Sequence, residues 1–162
     1  AAEKEVKDKI ARLMNIKGKH SVDSIHKKLG HIMWDFVGMG RTKESLETAL
    51  AKLKEVKKEF WSDLRIPGEA DTLNVELEKA LRLADFIETG ELMAYDALNR
   101  NESCGGHFRE EYQTPEGEAL RDDANYSYVA CWKYTGEDSK PELIKEELNY
   151  EFTKVQTRNY KA

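Results

Sequence analysis

Apolar residues recur at helical spacing through the first hundred positions and alternate with polar ones nearer the end. Residues 2 to 16 place Val6, Ile10, Leu13 and Met14 three to four apart, with Glu and Lys between, which predicts an amphipathic helix. Gly18 is expected to end it, and Ser21 to cap a second helix over 22–37 with apolar positions Val22, Ile25, Leu29, Ile32, Met33 and Phe36. Gly30 sits inside that helix at a cost of about 1 kcal/mol relative to alanine, so a closely packed neighbour is expected there. Thr42 caps a third helix over 43–64, with Glu44 in its first turn and the stripe Leu46, Leu50, Leu53, Val56, Phe60 and Leu64. Ile66-Pro67-Gly68 stops it. A fourth, over 72–99, is capped by Asp71 or Thr72 and carries Leu73, Leu77, Ala80, Leu81, Ala84 and Ile87; Gly90 is a candidate kink before Met93, Ala94, Ala97 and Leu98. Alanines and glycine on the inward face imply close helix approach, and the leucines and methionines read as core.

The pattern changes at residue 100. Arg100 to Glu111 packs two adjacent glycines, a cysteine, a histidine and alternating charges into a dozen positions. Thr114-Pro115-Glu116-Gly117 is a turn signal. Tyr126, Tyr128, Ala130, Trp132 and Tyr134 then alternate, as do Leu148, Tyr150 and Phe152, predicting two strands paired through a loop from Gly136 to Pro141, and an extended tail from Val155 to Ala162. The expected architecture is mostly α. An antiparallel bundle of three to four helices fills 1–100, a loop-rich motif segment spans 101–124, and a short β-hairpin with its tail occupies 125–162; together they read as one C-terminal domain of a larger subunit.

Composition narrows what such a chain does. Its 162 residues are 35% charged and 40% hydrophobic, enough for one domain with a core. Residues 1–100 hold 18 acidic and 18 basic side chains, and residues 101–162 hold 13 against 8, so the excess of −5 lies in the second part. That balance argues against nucleic-acid binding, which needs a basic footprint. No apolar run approaches the length of a membrane span, and no charged segment leads into an apolar one as in a signal peptide. Opening on Ala1-Ala2-Glu3 without methionine is expected of a piece of a longer protein or a trimmed terminus. Cys104 and Cys131 lie far apart with no C-x-x-C pair, and are expected as reduced thiols.

Chemistry was sought among the histidines first. His20, His26 and His31 stand six and five apart, which scatters the rings around a helix, whereas zinc on a helix wants spacings of three or four. Cys104 and His107 are three apart in a loop. They could form a nucleophile and base, or a small thiol beside a histidine that hydrogen-bonds backbone; no third, orienting group is visible. Glu110-Glu111 and Glu146-Glu147 read as solvated carboxylates, and Arg121-Asp122-Asp123 as salt links or a turn cap. Gly38-Met39-Gly40 lacks the preceding strand and third glycine of a dinucleotide fingerprint. The residues describe an interaction or docking domain without an active site of its own.

The stretch Arg-Asn-Glu-Ser-Cys-Gly-Gly-His-Phe-Arg-Glu-Glu, with Arg121-Asp122-Asp123 after it, resembles the C-terminal region of the flavoprotein subunit of succinate dehydrogenase and fumarate reductase. That family carries Arg-x-Glu-Ser-Arg-Gly-Ala-His-x-Arg-x-Asp after a helical bundle, then Arg-Asp-Asp. Arg100, Glu102, Ser103, Gly105, His107, Arg109, Arg121 and Asp122 match; Met33, Gly38, Arg41, Leu46 and Leu50 echo the spacing of a family helix. Cys104 replaces the family's arginine, Gly106 its alanine and Glu111 its aspartate. L-aspartate oxidase shares the architecture and a similar segment, so its C-terminal domain is an alternative, as is a free-standing helical interaction module.

The resemblance implies a parent enzyme that interconverts succinate and fumarate with FAD and exchanges electrons with quinone through an iron–sulfur subunit. A membrane anchor would be an indirect partner, at the cytoplasmic face of the inner membrane. FAD and dicarboxylate ligands of that family lie upstream. No catalytic, cofactor-binding or metal residue is therefore expected in this chain, which alone should be inactive and bind no cofactor. Arg100, Glu102, Ser103, Gly105, Gly106, His107, Arg109, Arg121 and Asp122 are expected at an interdomain contact with the FAD and capping domains, with Gly105-Gly106 allowing close backbone approach and part of 101–124 exposed.

Overall fold

The apolar stripes become four helices in the computed structural model, which describes residues 1–136 and 139–156. They are α1 (Ala2–Asn15), α2 (Val22–Val37), α3 (Lys43–Asp63) and α4 (Val75–Asn99). The chain divides into two compact units, Ala1–Asn99 and Arg100–Ala162. The mostly α architecture closing on a short hairpin is the one the periodicities predicted.

In the first unit α2, α3 and α4 pack on one another, and α1 adds Leu13. Ile25 and Leu29 of α2, Leu46, Leu53 and Phe60 of α3, and Leu83 and Ile87 of α4 are withdrawn from water. Each such side chain contributes roughly 1.5–3 kcal/mol of burial free energy. Capping follows the sequence at two of three places. The Ser21 hydroxyl accepts from the Ser24 N–H at 3.2 Å. Thr42 and Ser45 cap reciprocally: the Thr42 hydroxyl accepts from Ser45 N–H at 3.0 Å, and the Ser45 hydroxyl from Thr42 N–H at 2.9 Å.

The third place is a correction. Helix α4 starts at Val75, not 72, and its cap is Asn74, whose Oδ1 accepts from the Leu77 N–H at 3.0 Å. Asn74 also donates through Nδ2 to the Pro67 carbonyl at 2.9 Å, so one amide serves both the helix and the loop before it. A threonine hydroxyl has no second group for that. Leu73 consequently precedes the helix and is 98% exposed, and Met93 is also exposed; neither is core.

The glycines divide. Helix α4 runs unbroken through Gly90, where a Cβ would meet Met33 Sδ at 3.1 Å, the close approach its small face predicted. Gly30 is the opposite: a Cβ there meets nothing within 4 Å. The neighbour expected at Gly30 does not exist in this chain. Lys79 of α4 pairs with Glu76 at 3.0 Å and with Asp23 of α2 at 3.2 Å, and these two carboxylates, Glu76 foremost, hold its pKa above the ordinary lysine value.

The second unit holds one turn of helix, α5 (Asp123–Tyr126), and an antiparallel pair of strands, Tyr128–Lys133 and Glu142–Glu147. Its register sets Cys131 opposite Ile144 and Trp132 opposite Leu143. The first strand lies where alternation placed it; the second does not. Leu148, Tyr150 and Phe152 fall beyond it and are exposed, so their alternation is not a buried face. The connecting loop is described except at 137 and 138, and the tail expected over Val155 to Ala162 lies, from 157 on, outside the described residues. Among the described residues no helix is long and apolar enough to cross a membrane.

Candidate functional site

The motif segment opens the second unit directly after α4, and three of its residues, Glu102, Ser103 and Arg109, are its buried polar side chains. A buried carboxylate needs a charged partner. Glu102 has one in Arg100, whose Nη1 donates to Oε1 at 2.6 Å; its second oxygen accepts from the Asp122 N–H at 2.9 Å. Glu102 therefore ties the start of the segment to a residue twenty positions on. Arg100 uses the rest of its fork on the carbonyls of Tyr126 and Tyr128, each at 3.2 Å, and its guanidinium lies 5.6 and 5.3 Å from those two ring centroids.

Ser103 closes a second tie. Its hydroxyl accepts from Arg109 N–H at 2.9 Å and donates to Arg109 C=O at 3.1 Å, while its own N–H reaches the Leu120 carbonyl at 2.9 Å. Between these, Cys104 and His107 exchange two backbone hydrogen bonds, 2.8 and 3.0 Å, across Gly105 and Gly106. Gly105 has φ +59°, a conformation side-chain-bearing residues rarely adopt, which is the reason glycine stands there. Close backbone approach is not: a Cβ on Gly105 or Gly106 meets nothing within 4 Å, and both residues are exposed.

His107 donates its Nε2–H to the Arg100 carbonyl at 2.9 Å, since a carbonyl only accepts. Of the two roles open to the Cys104–His107 pair, the structure shows the histidine bound to backbone. Arg109 reaches Glu111 at 3.2 Å. Arg121 pairs with Asp123 at 2.6 Å, and this carboxylate raises the arginine's pKa further. The Asp122 side chain caps α5 through the Asn125 N–H at 3.3 Å. The salt link and turn cap read from Arg121-Asp122-Asp123 are both present. The structure thus gathers Arg100, Glu102, Ser103, His107, Arg109 and Asp122 into one hydrogen-bonded set, with Arg121 beside it.

These contacts hold backbone; they do not frame a cavity. A flavin needs donors for its diphosphate and walls for its ring, and the residues present do not fit one. Gly38-Met39-Gly40 follows a helix, not a strand, and the motif's polar groups are turned on one another. Among the described residues no three His, Cys, Asp or Glu side chains are grouped to hold a metal ion.

A different feature went unread in the sequence. Trp34 of α2 is 83% exposed and borders an open hollow of about 420 Å³ with Lys27, Gly30 and His31. The available signal was its position: Trp34 lies off the apolar stripe of its helix, so the core does not account for it.

The family model described as the fumarate reductase flavoprotein C-term matches residues 26–160. A fumarate reductase flavoprotein subunit of Proteus vulgaris is 32% identical over 126 residues, 78% of this chain and 20% of its own length. A solved quinol–fumarate reductase with menaquinol molecules superposes with TM-score 0.77 at 26% identity, over 92% of this chain and 25% of that one. Adenylylsulfate reductase from Archaeoglobus fulgidus, at 19% identity and TM-score 0.73 over 96% of this chain and 26% of that one, shares the fold. The chain spans about a fifth of the length of the curated relatives it matches.

Proposed function

Because this chain belongs to the fumarate reductase flavoprotein C-terminal family, we propose that it is the structural C-terminal domain of a subunit interconverting succinate and fumarate. The printed description of its Proteus vulgaris relative, a flavoprotein subunit, supports FAD as the parent's cofactor. An iron–sulfur subunit and a quinone, with a membrane anchor beyond them, complete the proposed electron path, as do the multi-subunit enzymes among its structural neighbours. FAD, when bound upstream, supplies the hydride chemistry; this chain's residues supply rigidity.

The observation that carries the reading is the use to which the family motif is put. Glu102 fastens Arg100 to Asp122, Ser103 fastens Arg109, and His107 fastens the Arg100 carbonyl. Side chains engaged in this way set the shape of a contact surface. Gly105, Gly106 and the neighbouring exposed residues are the part of it left to meet the FAD and capping domains. The brace works by fixing that surface before association, which lowers the ordering cost of the contact.

The test compares the full-length subunit with one ending before this chain. The shortened subunit is expected to retain FAD poorly and to lose most fumarate reduction with an artificial electron donor, and the 162-residue chain alone to show neither flavin nor turnover. Full activity in the shortened subunit, or turnover by the chain alone, would overturn the reading.

A further inference from the structure

We propose that the hollow beside Trp34 on α2 docks an acidic polypeptide segment of the parent assembly, one that inserts a bulky apolar side chain over Gly30. It rests on the reading above only in placing the chain within a larger assembly.

Four observations meet at this place. Lys27, Gly30, His31 and Trp34 stand at intervals of three, four and seven, and so share one helix face, opposite the stripe of Val22, Ile25, Leu29 and Ile32 that enters the core. Trp34 is 83% exposed, an indole left in water by its own fold. Gly30 lies mid-helix, where glycine is the poorest helix former but proline, and nothing in the chain approaches the space its missing side chain leaves. The two facts have one explanation if another surface fills the gap, with the indole as wall and the bare backbone as floor. The hollow of about 420 Å³ suits one large side chain.

Charge selects the occupant. Neighbouring Lys28 is neutralised by Glu59 of α3, but Lys27 and His31 take no ion-pair partner among the described residues. A carboxylate-bearing segment would complete Lys27 and accept from His31 while its apolar residue lies against Trp34. A basic segment would meet Lys27 as a like charge.

The experiment uses the purified parent assembly and the isolated chain side by side. Hydroxyl-radical oxidation of Trp34, read by mass spectrometry, is expected to be several-fold slower in the assembly. A zero-length carbodiimide is expected to join Lys27 to an Asp or Glu outside residues 1–162. Gly30→Leu should leave the isolated chain's Tm unchanged or raised, because leucine favours the helix, and yet restore fast Trp34 oxidation in the assembly. Equal oxidation in the two states overturns the proposal, as does a Lys27 cross-link only to a second copy of this chain, or continued Trp34 protection with Gly30→Leu. If the assembly retains flavin and turnover while Trp34 stays reactive, the docking proposal fails and the bracing role stands.

Discussion

At the scale of single residues, the Arg100–Glu102 pair carries the most consequence. Removing one member of a buried pair leaves an uncompensated charge and costs about 3–5 kcal/mol. Arg100→Met should therefore loosen the second unit by that order, read as faster amide exchange at Asp122, whose N–H bonds Glu102. Adding Glu102→Gln should recover part of the loss, since a neutral amide is cheaper to bury unpaired. Equal exchange in the single and double variants would show the pair to be energetically idle. The motif was legible as a motif, and Arg121-Asp122-Asp123 as salt link and cap. That Glu102 reaches Asp122 was not, because twenty intervening residues must first fold back. The Gly105-Gly106 pair misled for a related reason: two glycines signal permissive backbone, and only coordinates separate a turn from a close approach. Gly18 is the converse, since a Cβ there would lie 1.9 Å from the Asp63 carbonyl carbon, a crossing of two distant segments that no local pattern announces.

At the scale of elements, periodicity located the helices and capping chemistry most of their starts. The miss at α4 has a measurable counterpart. Asn74→Ala should destabilise the first unit by about 1 kcal/mol, the usual cost of a lost N-cap, while Thr72→Ala should leave thermal unfolding nearly unchanged. The reverse order would restore the cap to Thr72. Gly30→Ala should stabilise by about 1 kcal/mol, since the added methyl enters open space and improves helix propensity. A destabilising result would mean that an unseen neighbour occupies the site. The second strand was misplaced because Leu148, Tyr150 and Phe152 alternate as a strand would but have no surface to cover. The observed pairing instead follows the cross-strand register through Cys131 and Ile144.

At the scale of the molecule, every buried apolar residue lies between Leu13 and Ala97, and among the described residues from Arg100 on the buried side chains are polar. A polypeptide of residues 1–99 should therefore keep its helical circular dichroism and unfold cooperatively, while residues 100–162 alone should give a spectrum without a melting transition. A cooperative transition in the second piece would reveal a core not evident here. The division explains what was readable. Helical spacing, caps, the turn at Thr114–Gly117 and the charge imbalance are local properties, written by near neighbours along the chain, and the sequence alone determined them, along with the family through its motif. Only the tertiary structure decided that the motif's polar groups bind one another, that Gly30 faces open space where Gly90 faces Met33, and that Trp34 stands outside the core. Each of those depends on which distant surfaces meet, and one-dimensional spacing holds no record of that.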